Sequence, residues 1–140
     1  MAKRERDALA QVPLFSGLAP RHLKRISELT EEQRYMEGAS VVREGEQGDT
    51  FYVILEGEAK VVAPSGRVVN RIFPGQYFGE ISLLDGGPRT ATVVAETPLK
   101  MLALERSAFL KIVEQEPAVG VKLLGHAATM LRRLERSPSS

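Results

Sequence analysis

The stretch FGEISLLDGGPRTATVV, from Phe78 to Val94, gathers residue types that could handle an anion. Glu-Ile-Ser-Leu-Leu after Gly79 predicts a single helical turn, whose first N–H groups have no partner within the turn. Exposed amides and aligned peptide dipoles favour negative charge there, and a glycine at 79 lets a ligand approach the backbone closely. Arg89 follows Pro88 where the alternating run TATVV resumes, placed to reach back over the turn. Its planar fork suits the paired oxygens of a phosphate. A carboxylate at Glu80 would repel that phosphate, but it has a use if it accepts a hydrogen bond from a hydroxyl, such as that of a ribose carried by the phosphate. These residue types point to a small sugar phosphate or nucleotide.

Such a turn needs a rigid frame. Residues 1–32 read as helical: KRERDALAQ first, then, past FSGLAP, a helix with Leu23, Ile26 and Leu29 on one face and Pro20 in its first turn. From 33 to 104 the chain changes to short runs rich in Val, Ile, Phe and Tyr, broken by Gly, Pro, Asp and Ser, the texture of an antiparallel sandwich or barrel. EGEQGD, Ser65-Gly66 and Pro74-Gly75 supply turns, and two hairpins are expected. In FYVILEGEAKVV, Phe51, Val53 and Leu55 are expected to face the interior, with Gly57 at a bulge or bend. From 105 to 136 the period is helical again: Phe109, Leu110 and Val113 form one apolar face, and Pro117 opens a last helix. Its positions Val121, Leu124, Ala128 and Leu131 step like a heptad, and we expect them to pack on the chain's own barrel, with dimerisation as the alternative. The tail SPSS is expected to fray.

Composition narrows the function classes. The chain has 140 residues, 43% hydrophobic and 26% charged, the size and balance of one ordinary domain. Nineteen basic against 18 acidic side chains leave a net charge of +1, too little for a global field favouring nucleic acid or an anionic membrane. Cysteine is absent, so no disulfide or thiolate metal site is possible, which fits a reducing compartment. The charged N-terminus is no signal peptide, no apolar run approaches a membrane span, and a cytoplasmic protein is expected. His22 and His126 fall on different helices without neighbours at metal-ligand spacing, so they read as solvated or packed histidines, and no metal or cofactor is expected. LRRLER, with Leu134 and Glu135 interspersed, reads as a solvated helix face. No nucleophile elbow, P-loop or metal motif appears, so an enzyme is not expected.

FGEISLLDGGPRTATV resembles the phosphate-binding cassette of the cyclic nucleotide-binding domain family: F-G-E, small or apolar residues, a short loop, then P-R-T-A-T-V. VPLFSGL resembles that family's helical lead-in, and VVREGEQGDTFYVILEGEAKVV its early strands. The resemblance implies an eight-stranded antiparallel jelly-roll barrel with N-terminal helices and two C-terminal hinge and lid helices, as a single domain over 1–140 with the cassette at 78–93. It implies a ligand, cAMP or cGMP, and a ligand-binding set of Phe78, Gly79, Glu80, Ile81, Ser82, Pro88, Arg89, Thr90 and Ala91.

Within that set, Gly79 and Glu80 would hold the ribose 2′-hydroxyl, while the Ser82 N–H and Arg89 would hold the cyclic phosphate. Thr90 stands where a threonine can favour guanine. Gly86, Gly87 and Pro88 set loop geometry. The resemblance also implies that the last helix caps the base, with Leu131, Arg132 and Arg133 as candidates. The expected function is a non-catalytic sensor, whose last helix relays the signal to an effector protein or domain, with a homodimer through that helix as a further option. The alternative is an interaction module that keeps the fold without the ligand, against which the intact Glu80 and Arg89 argue. The opening Met leads us to expect a free-standing protein acting through a partner; an excised regulatory piece is the other option.

Overall fold

The short β-rich runs form eight strands: β1 (Glu31–Tyr35), β2 (Ser40–Val42), β3 (Thr50–Glu56), β4 (Ala59–Val62), β5 (Val68–Ile72), β6 (Tyr77–Phe78), β7 (Thr92–Ala95) and β8 (Leu99–Glu105). A computed structural model describes residues 2–135; the expected fraying of SPSS and the helix end at 136 lie outside them. Helices α1 (Ala2–Ala10) and α2 (Pro20–Glu28) precede the strands, α3 (Glu80–Asp85) interrupts them, and α4 (Arg106–Gln115) and α5 (Pro117–Glu135) follow. The strands make two four-stranded antiparallel sheets, ordered β1-β8-β3-β6 and β2-β7-β4-β5. Consecutive strands mostly alternate between sheets, as in a jelly roll. β1 opens at Glu31, ahead of the barrel start expected at 33, and β8 runs to Glu105.

Central position in its sheet explains the unusual apolarity of β3. Phe51 and Val53 turn outward to a cluster with Leu9, Phe15, Ile26, Leu104 and Phe109, whereas Tyr52 and Ile54 turn inward among Phe78, Val93 and Met101. Both faces of β3 are therefore buried. Phe51, Val53 and Leu55, expected to face the interior, do so on the side of the sheet that the helices cover, with Phe51 and Val53 buried. The lead-in VPLF is the wedge between them: Val12, Leu14 and Phe15 are buried, and the Phe15 ring meets Phe51 edge-on at 5.7 Å. Burying several large apolar side chains at about 1.5–3 kcal/mol each fixes the N-terminal helices to the sheet.

Other expectations need correction. Among the described residues only Ala63–Arg67 closes a hairpin, between β4 and β5, with the Ala63 N–H donating to Arg67 O at 2.9 Å. Phe73–Gln76 joins strands of different sheets, because β6 pairs with β3. Gly57, at φ +93°, also bends between sheets; a side chain there would meet the Pro98 carbonyl. Leu29 and Leu110 are exposed, and Ile112 takes the buried place on α4.

On α5 the inward stripe is Val119, Leu123, His126 and Met130, with Val119 and Leu123 buried. Val121, Leu124, Ala128 and Leu131 lie on the outside, Leu124 at 72% exposure, so the heptad-like stripe does not pack on the barrel.

Candidate functional site

The predicted helical turn is α3. Gly79 precedes it at φ +88°, a conformation strained for any residue with a Cβ. A Cβ there would also lie 2.7 Å from Thr50 O and 2.9 Å from Arg89 Nη1, so the site requires glycine twice over. Gly48 is comparable, since a Cβ on it would come within 2.7 Å of Ser82 Cβ and 2.9 Å of Arg89 Cδ. Ser82 is buried in consequence.

The loop after α3 is stitched to the Arg43–Asp49 turn, which explains the spacing of EGEQGD. The Gly45 N–H donates to Arg89 O at 2.9 Å, the Arg89 N–H to Glu46 O at 2.8 Å and the Gly48 N–H to Gly87 O at 3.2 Å. Gln47 adds a side-chain bond to Gly86 O and bridges to Pro88. The backbone bearing Arg89 is thereby held through both its N–H and its carbonyl.

Arg89 is only 8% exposed. One arm donates from Nη1 to Thr50 O at 2.8 Å, and the guanidinium carbon lies 5.9 Å from the centroid of the Tyr52 ring. Among the described residues no carboxylate forms an ion pair with it. Buried arginines are ordinarily paired. Here the cation lines a cleft of about 260 Å³ whose apolar lining includes Val42, Val61, Ile72, Phe78, Val93 and Met130, and whose lining also takes in Tyr77, Gly79, Glu80, Ile81, Ser82, Thr90 and Ala91. Tyr52, stacked on Phe78 at 5.0 Å, is the ring that Arg89 adjoins. Burial, then the neighbouring Tyr35, pushes its phenol well above the ordinary range, so it remains neutral beside the guanidinium.

Glu80 is largely buried. His126 on α5 bonds Glu80 Oε1, and the same carboxylate acts on the Tyr77 phenol. Burial first, and then Glu80, raises the Tyr77 pKa, while the Arg133 charge opposes the shift.

Of the residues singled out from the sequence, Phe78, Gly79, Glu80, Ile81, Ser82, Arg89, Thr90 and Ala91 line one cleft, whereas Pro88 lies outside its lining in the stitched loop. Leu131, Arg132 and Arg133 are exposed, and Met130 is the α5 residue in the cleft wall. Sequence reasoning missed Met130, Tyr77 and the contact of His126. His22 is buried with Nε2 3.3 Å from Glu116 Oε2, a packed histidine between α2 and the α4–α5 junction. Among the described residues no cluster of metal-ligating side chains occurs, and no helix is long and apolar enough to cross a membrane.

A model of the cyclic nucleotide-binding domain matches residues 32–116, more than half the chain. The chain belongs to the cyclic nucleotide-binding domain family. As a member of that family it resembles a cAMP-dependent protein kinase regulatory subunit from Colletotrichum orbiculare, 37% identical over 108 residues that make up 76% of this chain and 28% of the relative. The chain thus spans under a third of that relative's length. Among solved structures, the N-terminal domain of a transcriptional regulator from Streptomyces coelicolor A3(2) superposes with TM-score 0.84 at 33% identity, covering 96% of this chain and 99% of the other. The regulatory domain of Toxoplasma gondii PKA with cAMP superposes with TM-score 0.73 at 28% identity, covering 91% and 50%. By their names these relatives are a regulatory subunit, a domain of a transcriptional regulator and a regulatory domain.

Proposed function

We propose that this domain is a non-catalytic sensor that binds a 3′,5′-cyclic nucleotide in the cleft between α3 and the sheets. The observation that carries the reading is Arg89: a buried guanidinium, rigidly mounted, without a carboxylate partner and turned toward a cleft. A cyclic phosphate supplies the missing charge, and the Ser82 N–H in the first turn of α3 adds a donor beside it. Glu80 takes the ribose 2′-hydroxyl. The base lies against Val42, Val61, Ile72 and Val93, with α5 as its cap.

Met130 is the α5 side chain that reaches the wall, and Arg133, whose charge acts on Tyr77, lies on the same side. Leu131 and Arg132 are further from that role. cAMP is the ligand favoured by the relatives, since the Colletotrichum protein is named cAMP-dependent and the Toxoplasma domain was solved with cAMP; cGMP is the competitor that Thr90 would help. Ligand contacts to α5 would shift that helix and relay the signal. The exposed Val121, Leu124 and Leu131 offer the surface for an effector protein or a second copy. A cytoplasmic location agrees with the absence of cysteine.

Competition against a fluorescent cyclic nucleotide tests the reading. Cyclic nucleotides are expected to displace the probe and linear 5′-AMP to displace it poorly. Absence of saturable probe binding would leave the ligand-free interaction module.

A further inference from the structure

Resting on the proposed ribose role of Glu80, we infer that His126 is a positioning residue: from α5 it fixes the Glu80 carboxylate in the orientation that receives the sugar hydroxyl. Glu80 is part of the cleft lining and His126 is not. The two bond each other through His126 Nε2 and Glu80 Oε1, 46 positions apart in the chain, with side-chain exposures of 18% and 12%. A carboxylate that served only the peptide dipoles of α3 would need no partner on a distant helix.

A glutamate side chain turns about several bonds, and holding it in one rotamer for a ligand costs free energy that a preformed contact removes in advance. An ionised carboxylate has two oxygens with room for about four hydrogen bonds, all as acceptor. The imidazole must therefore be the donor, which places its proton on Nε2. His126 engages Oε1, so the second oxygen stays open to the ribose hydroxyl, and the two donors bind together. The support itself is well rooted. Val119 and Leu123 are the buried anchors of α5, His126 follows Leu123 by one turn on the same stripe, and Met130, a turn further, lines the cleft. The bond thus ties the capping helix to the cassette at the carboxylate that takes the sugar. A ligand entering the cleft meets an acceptor already oriented.

Calorimetric titration compares the unsubstituted full chain with His126→Ala and His126→Gln, each against the tighter-binding of cAMP and cGMP and against its 2′-deoxy analogue. The ratio of the two affinities is the readout. Loosening α5 or lowering stability weakens both ligands alike, whereas freeing Glu80 weakens only the one that carries the hydroxyl. His126→Ala should cut the ratio roughly three- to tenfold, the cost of ordering one flexible side chain on binding. His126→Gln, which keeps an N–H donor in place of Nε2, should restore most of it. In a Glu80→Gln background, His126→Ala should leave the ratio unchanged, since the group it positions is gone. Equal losses on both ligands in His126→Ala, glutamine behaving as alanine, or a ratio that still falls in the Glu80→Gln background would each overturn the positioning role and leave the sensor reading standing. If neither cAMP nor cGMP binds the folded, unsubstituted chain, the sensor reading fails and the positioning role with it.

Discussion

Arg89→Ala separates a cation awaiting an anion from an ordinary structural arginine. In the ligand-free fold the side chain contributes a charge-assisted bond to Thr50 O and a ring contact with Tyr52. Losing them costs about 1.5–3 kcal/mol for the bond and ~0.5–1 kcal/mol for the ring contact. Against this stands relief from keeping a charge that is 8% exposed without a carboxylate partner, a penalty of several kcal/mol for a buried ion. The two sides nearly cancel, so the variant should fold with stability changed by no more than about 2 kcal/mol. Ligand binding has no such cancellation. Removal of a desolvated partner from a charged pair costs about 2–5 kcal/mol, a loss of tens- to thousands-fold in Kd. Urea unfolding of the free variant and calorimetric titration with cAMP measure the two quantities independently. Affinity unchanged by the substitution would refute the phosphate assignment, and collapse of the fold would refute the claim that the guanidinium is not needed to hold the structure.

Glu80→Gln should weaken binding of the cyclic nucleotide relative to its 2′-deoxy analogue, because only the former presents the hydroxyl; a ratio of affinities unaltered by the substitution would count against a ribose contact. Thr90→Ala should lower any preference for cGMP over cAMP, measured by parallel titration, and an unchanged preference would locate base selection elsewhere in the cleft. Tyr52 should make the fold alkali-sensitive: its phenol is raised from an ordinary 10.0, so above that pH the unfolded chain releases a proton that the folded chain retains, and stability falls as pH rises. Tyr52→Phe should flatten that fall in unfolding experiments between about pH 9 and 11, bracketing the ordinary tyrosine value; parallel slopes for the two proteins would show that Tyr52 does not contribute.

The β-rich middle, the flanking helices and the break at α3 were legible because each carries a local signal: turn glycines, period-two runs and a Pro-opened helix. The cassette was legible for the same reason, since Gly79, Glu80, Ser82 and Arg89 lie within one short stretch, although the Arg43–Asp49 turn, Thr50 and His126 hold them in place. What lay outside local reading was which face of an element is covered. β3 is apolar throughout because helices cover its outer face, so alternation could not tell the barrel-facing residues from the helix-facing ones. α5 offers two stripes at nearly the same period. The one with Val121, Leu124, Ala128 and Leu131 is the more apolar and stays exposed, whereas the inward one contains His126, whose value depends on a glutamate 46 positions away. The stitching of the Arg43–Asp49 turn to the Arg89 loop is likewise a product of topology, although its cause, a turn with glycines at 45 and 48, stood in the sequence.

The most direct test of the central claim is calorimetric titration of the purified chain with cAMP and with cGMP, after unfolding and refolding to strip any ligand carried through expression. Micromolar or tighter binding, at one site per chain, is the predicted result for at least one of the two, with cAMP the stronger. No heat with either at several temperatures, on a protein whose fold is verified by circular dichroism, would contradict the sensor and leave a domain that keeps its cassette for another purpose.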